Sequence, residues 1–245
     1  MAETSSDLIV IGCGVHGLMV AMVAAEQGHT VTVLDKAKPG QATSGGWYGI
    51  LHGGLRYLQT ADLRRFRESV TERRWFAETF PDQIVKLPFL MPLYGRGLKR
   101  PSVFYGAFLA DALAGWDRNR GVDPDLAIKR GQVLSANAVT DICAGIPGEK
   151  LQGGALWEEL IVPDTEALFC AMVSHAERLG VTVQRDAQVI DLLRDGASVI
   201  GVQADVAGQM VEFSAPVVVN AAGPWAMDLN KTLDPALVAD TGWAM

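Results

Sequence analysis

A glycine-rich turn between two apolar segments constrains this chain more than any other feature. Residues 7–35, DLIVIGCGVHGLMVAMVAAEQGHTVTVLD, follow the order strand, turn, alanine-rich helix and second strand, and the second strand ends at Asp35. This order is typical of a dinucleotide-binding βαβ unit. In such a unit Gly12 permits the tight turn, Gly14 lets a pyrophosphate approach the backbone, and Gly17 lets the helix pack close to the sheet.

The predicted helix presents its N-terminus to the same turn. Its first N–H groups have no partner within the helix and carry a partial positive charge, so they attract phosphate. Asp35 follows Gly17 by 18 residues, where a carboxylate accepts hydrogen bonds from ribose hydroxyls and disfavours a 2′-phosphate. The motif leaves NAD and FAD open and argues against NADP. An ordinary glycine-rich turn is the alternative, and the register of all the parts argues against it.

Composition restricts the class of protein further. The chain has 245 residues, 49% hydrophobic and 20% charged, which is typical of a globular protein with one large or two modest domains. A net charge of −7 argues against a nucleic-acid-binding protein. Cys13, Cys143 and Cys170 are odd in number and far apart, which predicts neither disulfides nor a metal site. With no recognisable signal peptide or membrane-spanning segment, we expect a cytoplasmic protein.

Two loop-like stretches after the second strand carry chemistry-bearing side chains. Residues 36–46 contain Thr43 and Ser44 and are either a solvated surface loop or a loop along the phosphates of a bound nucleotide. Residues 47–58 combine aromatic side chains, glycines, His52 and Arg56. Taken alone, His52 is either a structural histidine or a proton acceptor, and Arg56 is either a surface ion-pair partner or an anion ligand.

A charged helix is predicted from Asp62, its N-cap, to about Thr79, before Pro81. Its apolar face is approximated by Leu63, Phe66, Val70 and Ala77. Its arginines alternate with glutamates and are interpreted as a solvated, salt-bridged face: Arg64, Arg65, Arg67, Arg73 and Arg74. Contact of this face with an anionic membrane surface is a minority alternative.

The remaining pattern predicts extended segments and helices followed by a run of strands. Extended structure is expected over 81–101, helices over 102–116 and from 164 to Gly180, and strands over 181–183, 187–193, 198–206 and 211–213. Asp195-Gly196 indicates a hairpin. The apolar strand 217–219 is expected in the interior of a parallel sheet. The turn Ala221–Trp225 follows at the carboxyl edge of that sheet, where ligands bind.

With these residues in view, the chain resembles the FAD-dependent glycerol-3-phosphate dehydrogenases, within the D-amino-acid-oxidase-like flavoproteins. The resemblance extends over essentially the whole chain, and HGGLRYL is its most specific motif. It rests on DLIVIGCGVHG, on ATS followed by ILHGGLRYLQ, on KLPFLMPLY, on the segment around WDRNRGVDP, and on VVNAAGPWA.

The resemblance implies an α/β fold. A Rossmann-like FAD-binding domain, with a parallel sheet, helices and an antiparallel β-meander, is joined to an incomplete, mostly helical and extended substrate-side region. We assign residues 1–80 and 160–230 to a discontinuous FAD-binding domain, 81–159 to an inserted substrate-side cap, and 231–245 to a truncated tail. The family continues well past the AAGPW turn, so the chain is expected to be a fragment or a truncated relative.

The resemblance also implies roles for individual residues. The pyrophosphate of FAD would meet the glycine turn and helix start, the adenosine ribose would meet the end of the second strand, and the ribityl region would meet the following loop. Val189 of the meander would contact the adenine, and His52 and Gly53 would lie beside the isoalloxazine. The turn at Ala222 and Gly223 would make a further contact. These cofactor residues are Gly12, Gly14, Val15, His16, Gly17, Asp35, Lys36, Thr43, Ser44, His52, Gly53, Val189, Ala222 and Gly223. Among the catalytic residues, Arg56 would be the phosphate clamp and Tyr57 its neighbour. His52 is the candidate base, because a neutral imidazole accepts a proton near neutral pH.

The reaction implied by the resemblance is oxidation of a CH–OH donor, with sn-glycerol 3-phosphate converted to dihydroxyacetone phosphate and hydride passed to flavin N5. The electron acceptor would be quinone or oxygen. Gly45–Tyr48 departs from the polar residues of many family members, which supports an amino-acid or hydroxy-acid oxidase or dehydrogenase as an alternative. A truncated, non-catalytic FAD-binding remnant is the other alternative. We expect a small-molecule substrate, no nucleic-acid partner and no metal, with peripheral contact at the inner face of the membrane as a minority option.

Overall fold

The structure is a computed structural model that describes residues 4–95 and 97–233. The chain forms two compact units, one from Met1–Tyr48 and Thr165–Met245 and the other from Gly49–Asp164. The strands in chain order are β1 (Thr4–Ser5), β2 (Leu8–Ile11), β3 (Val31–Leu34), β4 (Ile50–Leu51), β5 (Val85–Leu93), β6 (Gln132–Leu134), β7 (Gly153–Ile161), β8 (Thr182–Gln184), β9 (Ala187–Asp195), β10 (Ser198–Val206), β11 (Gln209–Ser214) and β12 (Val217–Asn220). The α-helices are α1 (Val15–Glu26), α2 (Leu63–Thr79), α3 (Pro101–Ala114), α4 (Ala136–Ile142), α5 (Thr165–Arg178) and α6 (Ala226–Leu233).

The first unit is built on a parallel sheet with the strand order β12-β2-β3-β8. Strands β2 and β3 are buried along their whole length, and Thr32 is their one polar residue. Helix α1 connects them and packs against α5, burying Leu18, Ala21 and Met22. The βαβ unit predicted from the glycine turn is therefore confirmed.

A second sheet of the first unit has the order β1-β11-β10-β9, and β9, β10 and β11 form the predicted antiparallel meander. Gly196 makes the β9–β10 turn with a φ of +59°, a conformation that favours glycine. Apolar side chains of both sheets form one buried cluster: Ile9, Ile11 and Leu34 with Ala187, Leu192, Val202, Ala204, Phe213 and Ala215. Burial of these apolar surfaces stabilises the unit.

The prediction that the strand at 217–219 lies in the interior of a sheet is wrong for the described residues. Strand β12 stands at the end of the parallel order, where β2 is its one sheet partner in the described part of the chain. Val217, its first residue, is 51% exposed. A wholly apolar strand indicates burial on both faces, but it does not indicate a partner on both edges.

The second unit has an antiparallel sheet centred on β7, which pairs with β4, β5 and β6. Strand β5 contains Pro88 and Pro92 and confirms the extended structure predicted after Pro81. Helix α2 begins after Asp62, whose side chain accepts a hydrogen bond from the Arg65 N–H at 3.1 Å, and it ends before Pro81. The predicted N-cap and helix are therefore confirmed.

The solvated face predicted for the arginines of α2 is wrong in part. Arg64 is exposed and pairs with Glu68, as expected. Arg67 and Arg74 instead converge on the carboxylate of Asp117, and Arg73 is buried beside the core. The helix thus uses its cations to attach other elements of the second unit as well as to face solvent.

The predicted domain boundaries differ from the limits of the two compact units. Residues 49–80 cluster with 81–164 because β4 pairs with β7 and because Arg73 of α2 forms an ion pair with Glu159 of β7. The assignment of 1–80 and 160–230 to FAD binding stays a prediction. The predicted tail at 231–245 lies outside the described residues after residue 233. Within the described ranges, no helix is long and apolar enough to cross a bilayer.

Candidate functional site

The glycine turn lies at the carboxyl end of β2, beside the turn that follows β12. Gly12 has a φ of +106°, and its N–H donates to the carbonyl of Leu34 at 2.8 Å. A Cβ at Gly12 would lie 2.5 Å from the carbonyl oxygen of Ala221 and 3.2 Å from Cα of Ala222. Position 12 therefore requires glycine for two reasons: its backbone conformation and the close approach of Ala221 and Ala222.

Gly17 has a different requirement, because it lies inside α1. A Cβ at Gly17 would approach the carbonyl oxygen of Gly12 to 1.9 Å and Cγ1 of Val10 to 3.4 Å. The helix can approach the end of β2 this closely with hydrogen at Gly17. This geometry confirms the prediction that Gly17 permits close packing of helix and sheet.

The N-terminus of α1 is free of side-chain capping by its own N-cap residue, Gly14. The N–H of Val15 donates instead to Oγ of Ser44 at 3.1 Å. A Cβ at Gly14 would lie 3.1 Å from the same oxygen. The Ser44 hydroxyl therefore lies at the positive end of the helix, and His16, the second residue of α1, is exposed.

The carboxylate of Asp35 connects the glycine turn to the loop after β3. Its Oδ2 accepts a hydrogen bond from the Cys13 N–H at 2.5 Å, and its Oδ1 accepts one from the Ala37 N–H at 2.8 Å. Two ionised oxygens offer about four lone-pair directions. Asp35 therefore orders the turn and keeps acceptor capacity for hydroxyl donors.

Burial affects the thiol of Cys13 in this turn. The side chain is fully buried, and that burial, with a smaller contribution from the charge of Asp35, raises the pKa of Cys13 to about 12. Cys13 is thus a neutral apolar side chain at neutral pH. It contributes to packing of the turn and supplies the N–H that Asp35 holds.

The turn after β12 makes a contact that sequence reasoning missed. Nζ of Lys36 lies 3.7 Å from the ring centroid of Trp225, a cation–π contact between the loop after β3 and the turn after β12. Oδ1 of Asn220 accepts the N–H of Ala222 at 3.1 Å, and Gly223 has a φ of +56°. Small residues and an amide side chain in VNAAGPW were the available signal for this ordered turn.

The structure thus gathers most of the predicted nucleotide residues at one edge of the parallel sheet. The Val15 N–H donates to Ser44, and the Cys13 N–H donates to Asp35. Gly12 lies so close to the turn after β12 that a Cβ there would meet Ala222. Two other predicted residues have no such connection to this edge in the described contacts. The side chain of Thr43 is exposed, and Val189 lies in β9 opposite Ala204, next to a bulge, and packs against the core.

These features fit the ribose and pyrophosphate part of FAD. Phosphate requires N–H donors, a hydroxyl and backbone without side chains, which the start of α1, Ser44 and Gly14 provide. Ribose requires a carboxylate acceptor, which Asp35 provides. No described group of three or more His, Cys, Asp or Glu side chains has the arrangement of a metal site in residues 4–95 and 97–233.

In the second unit, the HGGLRYL segment follows β4. The N–H of Gly53 donates to Oε2 of Glu159 at 2.8 Å. Gly54 has a φ of +84° and caps a 3₁₀ helix at Leu55–Thr60, which carries Arg56 and Tyr57. The side chains of His52 and Arg56 are exposed, and Tyr57 is half-buried.

Glu159 also binds Arg73, and sequence reasoning missed this pair. Nη1 of Arg73 lies 2.7 Å from Oε2 of Glu159, and the two side chains are 4% and 6% exposed. Burial lowers the pKa of the Arg73 guanidinium, and the charge of Glu159 opposes that shift. A second buried pair, Arg118 with Asp111 at 2.6 Å, lines the same small cavity as Arg73 and Glu159.

Comparison with known proteins supports the resemblance drawn from the motifs. The family described as "DAO: FAD dependent oxidoreductase" matches residues 7–242. The glycerol-3-phosphate dehydrogenase of Mycobacterium leprae (strain TN) is 33% identical over 227 residues, covering 91% of this chain and 37% of that protein. The alpha-glycerophosphate oxidase of Streptococcus pyogenes serotype M1 is 29% identical over 234 residues, covering 94% of this chain and 37% of the oxidase.

Solved structures show the same fold. The glycerol-3-phosphate dehydrogenase from Bacillus halodurans complexed with FAD matches with a TM-score of 0.66 at 20% identity, covering 96% of this chain and 37% of that one. The L-amino acid deaminase from Proteus vulgaris matches with a TM-score of 0.65 at 16% identity, covering 95% and 57%. The predicted fold class is confirmed. The chain spans less than two fifths of the length of the curated relatives named here.

Proposed function

The chain belongs to the DAO family of FAD-dependent oxidoreductases, and from that premise we propose that it acts on a CH–OH donor, sn-glycerol 3-phosphate, and forms dihydroxyacetone phosphate. The observation that carries the proposal is the 33% identity to a named glycerol-3-phosphate dehydrogenase over 91% of this chain. The HGGLRYL segment supports it, because this segment exposes a histidine and an arginine four residues apart. Because this chain spans 37% of the length of that dehydrogenase, catalytic activity itself belongs to the proposal.

Residues of the first unit would hold the nucleotide part of FAD. The backbone of the glycine turn and of the start of α1 would bind the pyrophosphate, and Asp35 would bind the adenosine ribose. Thr43 and Ser44 would bind at the phosphate and ribityl region. The residues proposed for these contacts, with those proposed for adenine and for the small-residue turn, are Gly12, Gly14, Val15, His16, Gly17, Asp35, Lys36, Thr43, Ser44, Val189, Ala222 and Gly223.

Residues of the second unit would act on the substrate. The neutral imidazole of His52 would accept the hydroxyl proton of the secondary alcohol. The guanidinium of Arg56 would bind the phosphate group, since its planar fork donates two parallel hydrogen bonds to an oxyanion. Tyr57 would lie beside that phosphate. When bound, FAD supplies the hydride acceptor, and we propose quinone or oxygen as the final electron acceptor.

An amino-acid or hydroxy-acid substrate is the second candidate, and a specific observation favours it. Residues 45–48 are Gly-Gly-Trp-Tyr where the resemblance implies polar residues, and Tyr48 is 93% exposed. The large aromatic side chains of Trp47 and Tyr48 would reshape the substrate pocket, and Arg56 would then bind a carboxylate. A third possibility, FAD binding without turnover, follows the same cofactor contacts and predicts no reaction with any donor.

Two experiments test these proposals. First, the purified protein is denatured and the released nucleotide is identified; release of NAD without flavin would contradict FAD binding. Second, the FAD-loaded protein is made anaerobic, and its flavin absorption is followed after addition of a donor. Bleaching by sn-glycerol 3-phosphate, with none by glycerol or by the opposite enantiomer, supports the first candidate. Bleaching by amino or hydroxy acids alone supports the second, and no bleaching supports the third.

A further inference from the structure

One carboxylate oxygen in the second unit holds donors from two distant parts of the chain. Oε2 of Glu159 accepts the N–H of Gly53 at 2.8 Å and Nη1 of Arg73 at 2.7 Å. Glu159 lies on β7, Arg73 lies on α2, and Gly53 belongs to the HGGLRYL segment. The contact therefore attaches that segment to the sheet and to the helix at a single point.

Gly53 lies directly against the guanidinium. A Cβ at Gly53 would come within 2.0 Å of Nη1 and 2.4 Å of Cζ of Arg73. The next residue, Gly54, has a φ of +84°, and a Cβ there would lie 3.0 Å from the carbonyl oxygen of Phe66. The backbone between His52 and Leu55 is thus fixed from both sides by packing and by a buried hydrogen bond.

The energetics of the ion pair indicate more than a stabilising role. Burying two charges costs desolvation free energy, and apolar replacement of such a pair is often neutral for stability. Arg73 moreover keeps one buried donor, Nη2, without a hydrogen-bond partner among the described residues. The buried N–H of Gly53, by contrast, requires an acceptor whatever residue supplies it.

We propose that Glu159 and Arg73 are positioning residues: through the Gly53 N–H they hold the His52–Arg56 segment in the conformation that receives the flavin and the substrate. This inference rests on the proposed function, which assigns His52, Gly53 and Arg56 to that site. Glu159 supplies the acceptor, and Arg73 fixes the carboxylate and blocks movement of Gly53. Neither side chain needs to touch the ligand.

A matched pair of double variants separates this role from simple stability. R73M/E159Q and R73M/E159L both remove the two charges, and their side chains are similar in size. Glutamine keeps an acceptor for the Gly53 N–H, and leucine does not. We expect hydrogen exchange of the Gly53 amide in the flavin-free protein to be close to the parent's in the glutamine variant and about tenfold or more faster in the leucine variant.

The flavin supplies a second readout. In the leucine variant we expect the dissociation constant of FAD to rise about tenfold and the visible absorption band of bound flavin to shift, with the glutamine variant close to the parent in both. If the leucine variant fails to fold, E159D is the substitute, because it keeps both charges and moves the carboxylate away from the Gly53 N–H. We expect faster exchange of the Gly53 amide and weaker FAD binding in E159D, with both changes smaller than those expected for leucine.

The outcomes distinguish the two proposals. Equal exchange and equal flavin spectra in the glutamine and leucine variants would overturn the positioning role and leave the proposed function intact. A parent protein that takes up no FAD would overturn the proposed function, and the positioning role toward flavin would fall with it. Fast exchange in the leucine variant with unchanged flavin binding would reduce Glu159 and Arg73 to structural residues.

Discussion

The Cβ that Gly17 lacks would lie 1.9 Å from the carbonyl oxygen of Gly12. A methyl group in that position would force α1 away from the end of β2, because the obstacle is backbone and cannot rotate away. We expect Gly17→Ala to lower the free energy of unfolding by about 3 kcal/mol, the upper part of the range for overpacking. Denaturant unfolding of the purified protein measures this value.

Gly106→Ala is the matched control for this change. Gly106 also lies inside a helix, α3, and a Cβ there meets no atom within 4 Å. Alanine should therefore stabilise the protein by about 0.5–1 kcal/mol through reduced chain entropy. Equal effects of the two substitutions would contradict the packing argument for Gly17.

Gly14→Ala should separate nucleotide binding from folding. Its Cβ would meet the Ser44 hydroxyl at 3.1 Å, a flexible neighbour, so the cost in stability should be about 1 kcal/mol or less. The same methyl group would enter the space proposed for the pyrophosphate, so FAD affinity should fall at least about tenfold, and Gly14→Val should abolish binding. Gly28→Ala should instead lower stability and leave FAD affinity unchanged. Gly28 has a φ of +90°, which favours glycine, and it lies at the other end of α1 from the proposed pyrophosphate site. Flavin fluorescence titration and thermal unfolding measure the two quantities.

The parts of the fold that sequence reasoning predicted correctly have local signals. The βαβ unit follows from apolar runs and three glycines, and α2 follows from Asp62 as N-cap and Pro81 as the end. The β-meander follows from turn residues such as Asp195-Gly196 between strand-forming runs. Each of these signals spans a few residues and acts through the backbone, so one sequence suffices to recognise it.

Arg73 shows where this reasoning failed. It falls on the buried stripe of α2 with Phe66, Val70 and Ala77, at helical spacings of four, three and four. The charged residues beside Arg73 in the sequence led to the prediction of a solvated arginine, although its spacing indicates the buried stripe. Its partner lies 86 residues away, and the glutamates at 158 and 159 of β7 point to opposite faces. No local pattern says which of them meets α2.

The residues of the candidate site also fall into a group with local sequence signals and a group without them. Gly12, Gly14, Gly17 and Asp35 were predicted from the chemistry of the turn, whereas His52, Gly53 and Arg56 were assigned through the resemblance. The contact of Lys36 with Trp225 joins residues far apart in the chain. Such pairs are set by the tertiary fold, so the sequence carries no direct signal of them.

Arg56→Ala tests the proposed phosphate clamp. A charge-assisted hydrogen bond contributes about 1.5–3 kcal/mol, so KM for sn-glycerol 3-phosphate should rise by roughly one to two orders of magnitude. Arg64→Ala is the control, because Arg64 is an exposed arginine paired with Glu68 on the surface of α2. Steady-state kinetics with an artificial electron acceptor measure both. Unchanged KM and kcat in Arg56→Ala would remove Arg56 from the site.

Asp117 should give the second unit a measurable stability in acid. Its carboxylate accepts two hydrogen bonds from Arg67, at 2.6 and 3.0 Å, and one from Arg74 at 2.8 Å. The hydrogen bonds from Arg67, with a smaller contribution from the one from Arg74, hold the pKa of Asp117 well below its usual range. Because the folded pKa is below the unfolded value of about 3.9, this stabilisation is complete above about pH 5 and is lost as pH falls through the folded pKa.

Asp117→Asn should therefore lower Tm at neutral pH and weaken the acid dependence. We expect a loss of about 1–2 kcal/mol at pH 7, reduced from the value for a fully buried pair because Arg67 is 39% exposed. The gap between variant and parent should narrow as pH falls from about 5 toward 2. Glu68→Gln, which removes an exposed pair, should change Tm little at any pH. Thermal unfolding at a series of pH values measures these differences, and a constant gap would refute the assignment.

Cys13 should be the slowest of the three thiols to react. Burial, with a smaller contribution from Asp35, raises its pKa to about 12, whereas Cys143 and Cys170 are exposed. Since thiolate is the reactive form, a disulfide reagent at neutral pH should modify two thiols of the native protein quickly and the third after denaturation. Cys143→Ser should reduce the number of fast-reacting thiols to one.

Because Cys13 lies in the glycine turn, its slow modification reports opening of that turn. Saturating FAD should slow this modification further by mass action. Three equally fast thiols in the native protein would show that the turn is open and that Asp35 does not hold it.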